Sequence, residues 1–187
     1  MFMGLILLIG GLVGSFGISQ VSKDLRAFSE IHIPMIRSLN TIAESQQIIG
    51  TIEQTLLLQE AGAADADKEP LYKKMLEAWG RADIGWKIQA SLSQAKEDEP
   101  VLISLKEAWQ TWAKVHHEAI QLAKEGKRTE ALAIAAGPEN EAFTNVEKLL
   151  TDLSDRHLKH IEQNKRLGDT KASWLKATAL GGTAIGI

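Results

Sequence analysis

The chain has 187 residues, no cysteine and a net charge of −3, with 21 Lys and Arg set against 24 Asp and Glu. That balance offers no basic patch for nucleic acid, and the missing thiols exclude disulfides, thiolate catalysis, cysteine-based zinc sites and c-type haem attachment. The length allows one domain of roughly 150 residues with a core of its own.

Met1 to Ser22 carry no side-chain charge. Phe2 to Val21 as a helix covers about 30 Å, the thickness of a bilayer's hydrocarbon core, so residues 2–22 read as a first transmembrane helix. Nothing basic precedes Gly4 and the apolar stretch is long, which argues against a cleaved signal peptide. Gly10 and Gly14 form a small-xxx-small pair, a candidate dimer contact within the membrane.

Residues 23–174 carry the charged, helix-patterned part of the chain. Val21, Leu25, Phe28, Met35, Leu39, Ile42, Ile49 and Leu56 recur at alternating spacings of three and four, a heptad seam continuing out of the first span. A second stripe, Ile31, Ile36, Ile48 and Ile52, lies off that seam and suits contact with a second subunit. The helix is expected to end near Glu60, before a loop over 61–67.

A second helix is expected from about Lys68 to Lys96, burying Tyr72, Met75, Trp79, Ala82 and Trp86, with Pro70 in its first turn. A third, from about Pro100 to Glu125, sets Leu102, Leu105, Trp109, Trp112, His116, Ala119 and Ala123 on one face. Gly126-Lys127 breaks it. Thr129 to Ala136 reads as a short helix ending at Gly137-Pro138. The fourth long helix starts near Glu139 and presents Phe143, Val146, Leu150, Leu153, His157, His160 and Leu167.

No stop signal of weight separates the fourth helix from the uncharged run Ala177 to Ile187, so residues 175–187 are expected to start a second transmembrane helix, with Trp174 at the interface. The nearest flanking cations, Lys23, Arg26, Lys171 and Lys176, lie on the domain side. They do not settle orientation, because the positive-inside rule does not govern domains longer than about 60 residues. Four long helices, short connections and no credible strand predict an all-α, up-down-up-down four-helix bundle whose first and fourth helices continue into membrane spans.

The order of span, bundle and second span resembles the sensory half of a methyl-accepting chemotaxis protein. The segments "HIPMIRSLNTIAESQQIIGTIEQTLL" and "SLKEAWQTWAKVHHEAIQLAKEGKRTEALAIAAGPENEAFTNVEKLLTDL" carry the resemblance, the latter with its paired tryptophans and its Gly-Pro before the last helix. The resemblance implies a homodimeric, non-enzymatic ligand-binding domain on the periplasmic side of a bacterial inner membrane. Its partner would be a small-molecule ligand or a periplasmic binding protein, and a small displacement of the last helix would pass the signal to a HAMP linker and a kinase. The same input bundle also occurs on sensor histidine kinases and diguanylate cyclases. A membrane-anchored structural bundle without a ligand is the reading from another class.

Family members that bind amino acids directly grip the ligand carboxylate with arginines on the first helix. The matching level here, Glu53 to Gln59, holds none, and Arg26 and Arg37 lie nearer the first span. The residues of that pocket are therefore not transferred. Gln46 and Glu53 instead put polar groups on seam positions, and helical rise brings Glu53 about 45 Å from the first span, level with Thr144 and Asn145. Gln46, Glu53, Thr144 and Asn145 are the candidate ligand-binding set, suited to an uncharged or cationic ligand, with register-setting polar layers as the alternative.

No metal or other cofactor is expected. His157 and His160 share a helix face and His116 and His117 are adjacent, but no Glu-x-x-His pair of the di-iron type occurs. Tyr72, Trp79 and Trp86 recur every seven residues and, with Trp109 and Trp112, read as core. No glycine-rich phosphate loop, H-E-x-x-H or nucleophile–base pair at recognisable spacing points to an enzyme.

Overall fold

The computed structural model describes residues 28–59, 65–92 and 98–184. A π-helical turn, Phe28–His32, leads into α1, Ile33–Leu58. Next come α2, Asp65–Ser91, and α3, Glu99–Lys124. The short α4, Arg128–Ile134, passes through a second π-helical turn, Ala135–Glu139, into α5, Asn140–Ala184. No strand occurs among the described residues, and the fold is an all-α four-helix bundle.

The chain divides into two compact units. One is Met35–Arg156, which contains the core. Along α1 the seam positions Met35, Leu39, Ile42, Gln46, Ile49, Glu53 and Leu56 are all buried, so the alternating spacing turns one stripe continuously inward. Met75, Ala78 and Ala82 of α2, Leu105, Ala108, Trp109, Trp112 and Ile120 of α3, and Val146, Leu150 and Leu153 of α5 complete the cluster. Of the off-seam stripe, Ile52 joins this core and Ile48 is exposed.

The sequence accounts for the end of α3. Gly126 adopts φ 76°, which a side chain would disfavour. Its amide donates to Ala123 O at 3.1 Å and the Lys127 amide donates to Leu122 O at 2.9 Å, the two bonds of a Schellman cap.

Two features differ from expectation. α2 begins at Asp65, three residues before Lys68, so Pro70 lies inside the helix and not in its first turn. Gly137-Pro138 does not break the chain between α4 and α5. The wider π-helical turn holds both residues, and the Asn140 amide donates to Gly137 O, so the helical path is kept. An extra residue in the turn relieves the clash that a proline ring makes with the carbonyl four residues back in an α-helix.

The second unit, Met1–Pro34 with His157–Ile187, is described from Phe28 to Pro34 and from His157 to Ala184. Within it the rings of His32 and His157 lie 6.4 Å apart and tilted by 56°. His157 is buried and His160 half-buried. The expected first span, with Gly10 and Gly14, lies outside the described residues. Of the expected second span, Leu175 to Ala184 form the end of α5. No helix among the described residues is long and apolar enough to cross a membrane.

Candidate functional site

Within the unit Met35–Arg156, α1 carries Glu53 inward because 53 is a seam position. On α3, His116 follows Trp112 by four residues and so shares its inward face. The π-helical turn brings Glu139, its last residue, to the same point. Nδ1 of His116 lies 2.7 Å from Oε2 of Glu53 and 3.0 Å from Oε1 of Glu139. Relative exposures of 1%, 3% and 4% for His116, Glu53 and Glu139 make this a charged cluster inside the protein, not on its surface.

Burial pushes the Glu53 carboxyl up to about 8; the neighbouring Glu139 adds to the rise and His116 opposes it. At His116 burial works to lower the imidazole's affinity for a proton, but the two carboxylates outweigh it and raise the group to about 9. Both shifts favour the protonated forms of the two groups. The remaining oxygens, Oε1 of Glu53 and Oε2 of Glu139, are buried with no hydrogen-bond partner.

Aromatic rings enclose one side of the cluster. Trp79 and Trp112 lie 5.6 and 5.7 Å from the His116 ring, centroid to centroid, and stack on one another at 5.3 Å. On another side Glu53 and Glu139 line a cleft of about 540 Å³, whose walls include Gly50, Leu57, Leu132 and Phe143. The cluster thus joins protonatable groups to a space that can admit a small molecule or ion. Glu53, His116 and Glu139 each place a ligand atom within 4.8 Å of the other two, a grouping able to hold a metal ion.

The four residues expected to form a pocket do not converge. Glu53 lines the large cleft. Gln46 lines a separate cavity of about 280 Å³, beside Asn40, Glu147 and Ser154, and its Nε2 donates to Phe143 O at 3.0 Å. Thr144 and Asn145 are exposed, and the Thr144 hydroxyl donates to Asn140 O within its own helix. Val146 and Leu150 take the inward face of α5, so residues one and two places before Val146 point away. Arg37 is exposed, as its absence from the seam requires.

Residues 1–172 match the family described as the four helix bundle sensory module for signal transduction. The chain belongs to this family. Comparison with curated proteins and with solved structures gives no match. The match covers the whole of the unit that holds the core, so the buried cluster and its cleft lie inside the sensory module. Glu139, which sequence reasoning did not single out, is the member contributed by the module's irregular turn. Its one sequence signal is its place directly after Gly137-Pro138.

Proposed function

We propose that this sensory module is the input region of a transmembrane chemoreceptor. It works as a homodimer on the periplasmic side of a bacterial inner membrane and binds a small molecule or a periplasmic binding protein. The observation that carries the reading is the match to the sensory-module family over residues 1–172. The uncharged stretches Met1 to Ser22 and Ala177 to Ile187 support membrane attachment at both ends. The cleft beside Glu53 and Glu139 supports recognition within the bundle.

Signalling is a population shift between two packings of the dimer, biased by whatever binds one of them better. The moving part is α5, an unbroken helix from Asn140 to Ala184 whose first residue lines the cleft. Displacing α5 by a fraction of a helical turn carries the signal along the helix toward Ile187.

A chimaera tests the proposal. The chain is joined after Ile187 to the HAMP linker and kinase-control hairpin of a chemoreceptor of known output, then assayed in membranes with kinase and coupling protein. Kinase activity is expected to respond to at least one member of a panel of amino acids, organic acids, amines and metal salts. Because the chain lacks cysteine, a Lys114→Cys variant also reports sidedness, and labelling by an impermeant maleimide in intact cells is expected. A chimaera that reaches the membrane, resists labelling from outside and never alters kinase activity sinks the proposal.

A further inference from the structure

Three side chains from three separate elements meet at one imidazole nitrogen: Glu53 of α1, His116 of α3 and Glu139 of the π-helical turn. Nδ1 carries at most one proton and a carboxyl proton shared between Glu53 and Glu139 supplies one more, so the four carboxyl oxygens are not all satisfied. Oε1 of Glu53 and Oε2 of Glu139 are in fact buried without a partner, although both residues are more than nine-tenths buried. Leaving buried carboxylate oxygens unpaired is costly, and native interiors do it for a reason. A cation shared by the two carboxylates supplies that reason.

We propose that Glu53, His116 and Glu139 bind one divalent first-row transition-metal ion of the zinc, cobalt or nickel class, through Nδ1 of His116 and an oxygen of each carboxylate. The donor set selects the class. Calcium and magnesium favour all-oxygen shells, whereas an imidazole suits zinc, divalent copper, nickel and iron. Monovalent copper prefers sulfur donors, and no cysteine is present. Charge agrees as well: two carboxylates, a neutral imidazole and a dication sum to zero, which suits a buried site.

The geometry is close to what such an ion needs. Metal–ligand bonds of about 2.0–2.2 Å at tetrahedral angles hold ligand atoms about 3.4 Å apart. The nitrogen–oxygen pairs now at 2.7 and 3.0 Å must open by roughly half an ångström, within reach of small side-chain rotations. Three protein ligands leave a fourth position, as in catalytic zinc sites. The cleft lined by Glu53 and Glu139 gives the ion a way in and gives a water or an outside ligand a place to complete its shell. Glu139 is carried by Ala135–Glu139, and π-helical turns inside helices recur at functional sites.

Metal uptake by this cluster is independent of the sensory role and is measured without any signalling output. The test uses the full, untagged chain, freed of metal with a chelator and titrated with Co²⁺. Saturable uptake of one ion per chain is expected, with a visible ligand-field band that equimolar Zn²⁺ abolishes. His116→Gln should weaken binding at least 100-fold, beyond the roughly 10- to 100-fold that loss of an outer-shell partner costs. His117→Gln, on the exposed neighbour, should leave it unchanged. X-ray absorption of the zinc-loaded wild type keeps the test decisive if His116→Gln misfolds: a shell of nitrogen and oxygen with one imidazole is expected. Absence of stoichiometric uptake by the wild type, a shell without imidazole, or undiminished binding in a folded His116→Gln variant overturns the proposal and leaves a hydrogen-bonded triad only. A chimaera that reaches the membrane, resists labelling from outside and stays silent, together with intact Co²⁺ binding, would remove the chemoreceptor reading and keep the metal site.

Discussion

Trp79 stacks on Trp112 with ring centroids 5.3 Å apart and planes inclined by 23°. Trp112 is fully buried and also meets Trp109 and Phe143 edge-on, at 4.9 and 6.0 Å, so its ring joins α2, α3 and α5. Its indole Nε1, however, is buried without a hydrogen-bond partner. Trp112→Ala opens a cavity at the centre of the bundle and should cost about 3–5 kcal/mol. Trp112→Phe keeps most of the aromatic contact and removes an unpaired polar group, which offsets part of the lost volume. Urea unfolding should therefore place Trp112→Phe well above Trp112→Ala, and equal losses for the two would contradict this account of the site.

Two glycines of α2 make opposite predictions. A Cβ at Gly85 would sit 2.7 Å from Cγ1 of Ile42 and 3.0 Å from the backbone oxygen of Ser38, so α1 and α2 approach closely there. The contacted Ile42 is β-branched and stiff, and the carbonyl is fixed in a helix. Gly85→Ala should destabilise by about 1–3 kcal/mol. Gly80 has nothing within 4 Å of the same position and is exposed. Gly80→Ala should stabilise by up to about 1 kcal/mol through helix propensity and a less flexible unfolded chain. Thermal or urea midpoints of the two variants check the pair, and a shared sign would contradict the packing described.

The seam of α1 was readable because burial of one helical stripe repeats every three or four residues, and positions 35 to 56 obey that repeat without exception. Gly126 was readable as a stop because only a residue without a side chain adopts its positive φ at no cost. Pro138 misled because proline's effect depends on whether a carbonyl lies four residues back, and the π-helical turn moves it. Glu53 and His116 were each legible as inward-facing, but periodicity gives the face of a helix and not its height against another helix. Their meeting was therefore hidden. Thr144 and Asn145 lie elsewhere for two reasons: Glu139 reaches the level of Glu53, while Phe143 meets Gln46 and Gly50, and rotation of about 100° per residue carries Thr144 and Asn145 away from the inward Val146. Glu139 lies on an irregular turn, where no period exists to read.

Protonation of the buried cluster should make stability of the metal-free chain fall as pH rises. Folding raises His116 from 6.5 to about 9, so the stability it contributes is full below about 6.5 and is lost as pH passes through about 9. Folding raises Glu53 from 4.5 to about 8, so its proton is bound more tightly in the native state and its contribution is full below about 4.5 and is lost through about 8. Both groups act in the same direction. Of the neighbouring titratable groups, Glu139 faces them directly and the ring of His117 lies 5.6 Å from that of His116. In chelator-containing buffer, the urea midpoint should fall between about pH 5 and about pH 9. Each proton contributes at most about 1.4 kcal/mol per pH unit to the slope. Glu53→Gln resembles the protonated carboxyl in shape and should flatten the slope by up to one proton's worth. A midpoint that rises from about pH 5 to about pH 9, or a slope untouched by Glu53→Gln, would show that folding does not raise the proton affinity of the cluster.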